Sequence, residues 1–151
     1  MTVVSQPSFL FERGERYLRL VPKEQQPSLY PFRTLQQAGV APAAASDAPV
    51  TPPAPLASVA AAVERRTAGG RPIASAEAVR AELALGWWTR GAAHAAFLES
   101  ERGTLAAGMR ADLVLLPSDP LVSSPTALRA LAVERRWVAG RAVELNDVQR
   151  A

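Results

Sequence analysis

The sequence predicts an α/β fold whose functional groups stand at the carboxyl ends of parallel strands. Three observations lead there. A run of small residues, Val40-Ala41-Pro42-Ala43-Ala44-Ala45, leads into a lone acid at Ser46-Asp47-Ala48-Pro49 and, past a proline-rich loop, into residues with helical spacing. Apolar strand, carboxylate, loop and helix follow one another in this way at the functional end of barrel and doubly wound strands, where ligands and catalytic groups gather. A β-branched segment opens the chain, and its last third turns to strands with no helix between them.

Composition narrows the function classes. The 151 residues are enough for one domain with a core, and 48% apolar with 21% charged residues is ordinary for a soluble globular chain. No apolar stretch approaches the ~20 residues that span a bilayer. Residues 1–8 lack a basic n-region and an apolar h-region, so a cytoplasmic location is the expectation. With no cysteine, neither a disulfide framework nor a thiolate metal site can form. The net charge of +3 comes from arginines dispersed among acids rather than a basic stripe with interleaved aromatics, which argues against nucleic acid as a partner. His94 is the only histidine, so this chain cannot by itself build a multi-histidine metal centre.

Taken in order, Thr2-Val3-Val4-Ser5-Gln6-Pro7 reads as a short strand stopped by proline. It begins almost at the first residue, and the expectation is that further sequence lies upstream. Residues 9–21 read as a loop with a helical turn or two, long enough to wall a pocket. Residues 28–39 form a short helix with Pro31 in its first turn and Gly39 at C′. Residues 40–45 are the second strand, narrow enough for a crowded barrel interior. From Leu56 the spacing Leu56, Val59, Ala60, Val63 is helical, until Gly69-Gly70 breaks the chain. Ser75 is expected to cap a helix with Glu77 in its first turn and Ala76, Val79 and Leu83 as its stripe, stopped by Gly86. Thr89 is expected to cap the next helix, with Ala93, Ala96 and Phe97 on one face.

The last third begins with turn-forming Gly103-Thr104-Leu105 and Gly108. Residues 112–116 read as a buried strand closed by Pro117. Leu131, Val133, Arg135 and Trp137 alternate with polar or small neighbours, Ala139-Gly140 is a two-residue turn, and residues 141–145 return as a hairpin partner. Arg135-Arg136 is expected on the solvated hairpin edge, where charge discourages further pairing. Trp87, Trp88 and Trp137 read as packing anchors, Asp112 as structural, and His94 as a surface or structural histidine.

Several stretches together resemble the C-terminal part of the metal-dependent amidohydrolases, in the amidohydrolase family 3 branch of that superfamily. They are Val3-Val4-Ser5-Gln6-Pro7-Ser8-Phe9, Tyr30-Pro31-Phe32-Arg33-Thr34-Leu35, Ser46-Asp47-Ala48-Pro49-Val50 and the run from Gly103-Thr104-Leu105 through Gly108 to Ala111-Asp112-Leu113-Val114. The resemblance implies a (β/α)8 barrel whose chain ends build a small β-sandwich. This α/β chain would be a C-terminal fragment of that TIM barrel, about the last two strands and the following helices (residues 1–100), plus the C-terminal part of the sandwich (residues 101–151). The first-strand His-x-His pair and the later metal ligands would lie upstream. One departure stands at the key motif: the family usually has glycine before Ser-Asp, and here it is Ala45.

Asp47 matches the strand-eight aspartate of the family, which implies a catalytic role as metal ligand and proton shuttle. The bland alternative is a turn or cap aspartate. Gln6, at the end of the first strand, and Ser46, beside Asp47, are candidate substrate-binding residues, and Ser46 is also a candidate to orient Asp47. Phe9 is a candidate for the pocket wall together with Phe11 and Tyr17, with core packing as the competing reading. The implied function is hydrolysis of carbon-nitrogen bonds other than peptides, on amide or N-acyl small-molecule substrates, by metal-activated water. The implied cofactor is a divalent metal, zinc in the complete enzyme. The alternative is a catalytically inactive fragment or interaction module that lacks the metal site and carries no metal, its exposed barrel edges favouring an oligomer. Neither nucleic acid nor membrane is expected as a partner.

Overall fold

The computed structural model of the protein describes residues 2–40 and 42–144, so Ala41 of the second predicted strand and Leu145 of the predicted hairpin lie outside the described residues. Two short strands, β1 (Val4–Ser5) and β2 (Ala43–Ala44), pair in parallel with Val4 opposite Ala43 and Ser5 opposite Ala44. Between them run α1 (Phe9–Glu12), α2 (Gly14–Leu20), a 3-10 turn at Gln26–Ser28 and α3 (Phe32–Gln37). Both strands are shorter than the sequence suggests, yet each lies where it was expected. Gly39 ends α3 with a φ of +74°, which a residue without Cβ adopts freely.

The core forms around α4 (Pro55–Glu64), whose Val59, Ala60, Ala61 and Ala62 are all buried. Alanine at three successive positions leaves room for close approach on several sides, and α4 packs against α1 and against the later helices Ala81–Gly86 and Pro125–Ala130. Phe32 and Trp87 meet with ring centroids 4.8 Å apart beside Leu10, Ile73 and Leu128. Trp87 is thus the expected packing anchor.

The helices after Ser75 differ from the expectation. Ser75–Glu77 is only a 3-10 turn, and its serine makes no side-chain cap bond. The helix proper starts later, at α5 (Ala81–Gly86), and Gly86 does not stop it. The chain continues through a π-helical turn (Trp87–Gly91) into α6 (Ala92–Ala95). Glycine tolerates helical φ/ψ at a cost of only ~1 kcal/mol against alanine, so packing of Trp87 overrides it. Thr89 caps nothing. It lies within the π turn, and its hydroxyl donates back to the Leu85 carbonyl at 3.2 Å. Phe97 does not share a buried face with Ala93: the helix has ended, Phe97 has a φ of +58°, and it is 88% exposed.

The last third holds an antiparallel sheet of β3 (Leu113–Leu115), β4 (Arg135–Val138) and β5 (Arg141–Val143). The hairpin turn is the predicted Ala139-Gly140, with φ positive at both residues as a two-residue turn on twisted strands requires. Asp112 is structural, as read above. It accepts from the Ala139 amide at 2.8 Å and from Arg110 at 3.0 Å, and the Ala139 bond foremost, with Arg110 and Arg102, holds its carboxyl below the ordinary range. Two expectations fail in this sheet. Arg135 and Arg136 lie on its middle strand, not an edge, because β3 adds to the far side of the hairpin. The strand at 113–115 is not buried among the described residues, since nothing there covers Val114 and Leu115. Residues 125–130, read above without an element, form α7 (Pro125–Ala130), which has proline at its start and Ser124 capping the Ala127 amide at 3.2 Å.

Candidate active site

The parallel pairing of β1 and β2 sets the site. Ala43 donates to the Val3 carbonyl at 2.8 Å and Ala45 to the Ser5 carbonyl at 2.9 Å, so both strands end side by side. Gln6 leaves β1 half-buried, and its carbonyl accepts from Phe9 at 3.1 Å, which bends the chain into α1. Phe9, also half-buried, is the first residue of that helix. On the neighbouring strand end stand Ser46, half-buried, and Asp47, exposed. The fold thus brings Gln6, Ser46 and Asp47 onto two adjacent strand ends, with Phe9 at the start of the helix that follows Gln6.

Asp47 sits at a tight turn with a φ of +56°, a left-handed conformation that aspartate tolerates better than most residues. Its carbonyl accepts from Val50 at 2.8 Å, and the peptide between Ala48 and Pro49 is cis. The Ser46 hydroxyl oxygen accepts from the Ala48 amide at 3.3 Å, so its link to Asp47 runs through the turn's backbone. Ala45 is not left-handed; that conformation falls on Asp47 itself, so the alanine before Ser46 meets no positive-φ requirement.

Three side chains that the sequence did not single out hold this turn. The Thr51 hydroxyl donates to the Ser46 carbonyl at 2.6 Å, and Thr51 is 2% exposed. The Ser8 hydroxyl lies 3.2 Å from that of Thr51 and joins the loop after β1 to the loop after β2. Arg13, between α1 and α2, donates to the Val50 carbonyl at 2.9 Å. A signal existed in Ser46-x-x-x-x-Thr51, a hydroxyl inside a proline-rich loop, but a loop threonine is usually solvated and gives no warning of burial.

Other candidates sit elsewhere. Phe11 lies against the Arg129 guanidinium, 4.3 Å from ring centroid to carbon, and the Tyr17 hydroxyl bonds that of Tyr30 at 3.0 Å. Both aromatic residues serve packing. Tyr30 is pushed above the ordinary tyrosine range, first by its burial and then by this bond. His94 is exposed and pairs with Glu99 at 3.2 Å. The helical segment that carries it meets β2 at Pro42 and Ala43, the strand's start, whereas Asp47 follows its end. A groove of about 680 Å³ between Trp88, Ala93, Leu98 and Leu105 takes in none of the four site residues.

Asp47 can supply one carboxylate to a metal ion. Among the described residues no group of three or more histidine, cysteine, aspartate or glutamate side chains could hold one, so these residues alone do not fit a metal centre. Arg65 was also not foreseen: it is fully buried, and burial pulls its pKa down to about 10, which leaves it charged at neutral pH.

Comparison with known proteins gives a consistent result. Residues 3–144 match the model of a family described as the amidohydrolase family. An N-substituted formamide deformylase from Arthrobacter pascens is 37% identical over 139 residues, which cover 91% of this chain and 26% of that protein. The structure is similar to that of an uncharacterized metal-dependent hydrolase from Pyrococcus horikoshii OT3, with a TM-score of 0.71, 25% identity and coverage of 83% of this chain and 26% of the other. It is also similar to an uncharacterized metal-dependent hydrolase from Pyrococcus furiosus, with a TM-score of 0.64, 29% identity and coverage of 80% and 24%. The chain spans about a quarter of the length of the curated relatives it matches.

Proposed function

This chain belongs to the amidohydrolase family, and on that premise we propose that it is the part of a hydrolase for non-peptide carbon-nitrogen bonds that carries the strand-end carboxylate, Asp47. The observation that carries this reading is the exposed Asp47 carboxylate at the end of β2, beside the end of a parallel partner strand. Residues 1–100 supply two strands and the helices after them to a (β/α)8 barrel, and residues 101–151 supply strands to a small β-sandwich. An amide or N-acyl compound is the substrate class, in keeping with the N-substituted formamide named for a relative. In the whole enzyme a divalent ion, zinc, would supply the activation of water, with Asp47 as the one ligand these residues would offer it. The residues here contribute one carboxylate and no complete ligand set.

The chain's own chemistry is then a proton transfer. Asp47 takes a proton on a carboxylate oxygen as water attacks the acyl carbon and returns it to the departing amine nitrogen. Gln6 and Ser46 present polar groups beside it, and Phe9 forms an apolar wall. In the whole enzyme, assayed with an N-alkylformamide, release of amine should fall at least about a hundredfold in Asp47→Ala, the usual weight of a general acid-base residue. Equal rates would end the assignment of Asp47.

A second reading is an interaction module without catalysis. It is favoured by the missing ligand set, and by β1 and β2 forming a sheet of only two strands among the described residues, each with an open side. It predicts self-association with no metal bound, and sedimentation that shows a metal-loaded monomer would dismiss it.

A further inference from the structure

We propose that Thr51 is a positioning residue for Asp47, acting with Ser8 and Arg13 as a clasp between the loops after β1 and β2. The proposal rests on the reading of Asp47 as the reactive carboxylate, but its geometry stands independently. Thr51 has one hydroxyl proton, and the 2.6 Å contact commits it to the Ser46 carbonyl. The Ser8 hydroxyl, 3.2 Å away, is therefore the donor to the Thr51 oxygen. A directed chain results, from Ser8 through Thr51 to the carbonyl one residue before Asp47. Ser8 and Thr51 are 9% and 2% exposed, so water does not compete for these bonds. On the far side of the turn, Arg13 holds the Val50 carbonyl while the Val50 amide holds the Asp47 carbonyl.

The turn needs such fixing. Asp47 occupies the left-handed region, where a non-glycine residue stays only when its surroundings impose it. Among the described residues none bonds the Asp47 carboxylate itself, so its direction follows from the backbone, and the backbone follows from the clasp. Threonine suits position 51 because its hydroxyl makes both bonds while its methyl fills the buried space that valine would also fill.

The test uses the full 151-residue chain. Hydrogen exchange should show the Val50 amide, bonded to Asp47, opening about five- to tenfold faster in Thr51→Val than in wild type, with the amides of α4 unchanged. The Asp47 amide-to-α-proton coupling, which reports φ, should shift in Thr51→Val and return in Thr51→Ser, which keeps the hydroxyl. Ser8→Ala should move both readouts the same way and serves if Thr51→Val does not fold. Unchanged Val50 exchange and Asp47 coupling in both variants, or equal acceleration in α4, would overturn the clasp. In the whole enzyme, an Asp47→Ala variant with undiminished hydrolysis of an N-alkylformamide would remove the reading of Asp47 alone, because the exchange and coupling data do not depend on turnover.

Discussion

The Arg65 guanidinium donates to the Leu29 carbonyl at 2.7 Å, thirty-six positions earlier in the chain. The same group reaches the carbonyls of Tyr30, Ile73 and Ala74 at 3.1–3.2 Å. One buried cation thus ties together the segment before α3, the end of α4 and the loop that follows it. Its backbone is left-handed, at a φ of +54°, where the Arg65 amide closes α4 on Ala61.

Arg65→Met should therefore cost more than a surface arginine would. Four carbonyls, that of Ile73 buried and the other three partly so, lose a charged donor, and a loss of about 3–5 kcal/mol in denaturant unfolding follows from breaking such a network. Arg65→Lys keeps the charge but lacks the planar fork that serves several acceptors, and should recover only part of the loss. Equal midpoints for the wild type and Arg65→Met would show that these bonds carry no net stability.

Glu77 gives a pH prediction. Burial raises its pKa, but the hydrogen bonds from the Thr34 hydroxyl and backbone amide outweigh that and leave it below its ordinary 4.5. Because the folded pKa is the lower one, the unfolded chain binds the proton first as pH falls. The stability from Glu77 is fully present above pH 4.5 and is lost as pH drops through the folded value. Glu77→Gln should lower the unfolding midpoint at pH 7 and flatten its decline below pH 4.5. An acid limb as steep as that of the wild type would refute this.

What was legible in the sequence follows from physics that is local. Gly39, Ala139-Gly140 and the strand before Asp47 are set by backbone preferences of a few neighbouring residues, and all three were found where expected. The helix boundaries around Gly86 and Thr89 were not, because Trp87 packing on Phe32, fifty-five positions away, overrides the stop expected at Gly86 and the start expected at Thr89. The same holds at the candidate site. The carboxylate of Asp47 is visible as a residue type at a strand end, whereas the burial of Thr51, Ser8 and Arg65 depends on partners distant in sequence. The middle position of Arg135 and Arg136 likewise depends on β3 joining the hairpin, which residues 131–145 alone do not reveal.

Two glycines in one helical segment should respond oppositely to alanine. At Gly91 a Cβ would stand 2.7 Å from the Pro42 carbonyl oxygen and 3.3 Å from the Ala43 Cα, both backbone atoms of the strand that leads to Asp47. Gly91→Ala must push that strand away and should cost about 1–3 kcal/mol, the usual penalty of overpacking. At Gly86 the nearest atom is the tip of the Arg90 side chain, at 3.4 Å, which can move aside. Gly86→Ala should instead stabilise by up to about 1 kcal/mol, since alanine loses less backbone entropy in a helix. Thermal unfolding of both variants checks the pair, and a matching sign would refute the packing argument.

Arg129 of α7 is bonded to Glu64 at the end of α4 and lies over the Phe11 ring, with both charged side chains about three-quarters or more buried. This contact joins α7 to both α4 and α1, so its energy should exceed that of an exposed pair. A double-mutant cycle with Glu64→Gln and Arg129→Met should return a coupling of about 1.5–3 kcal/mol, against the 0.2–1 kcal/mol usual at the surface. Because the guanidinium also faces Phe11, Arg129→Met should cost more than Glu64→Gln, by about 0.5–1 kcal/mol for the ring contact. Phe11→Leu in the Arg129→Met background should then add less than it does alone. A coupling within the range of an exposed pair would mean that α7 is held by Leu128 and its apolar neighbours, and that the ion pair contributes only orientation.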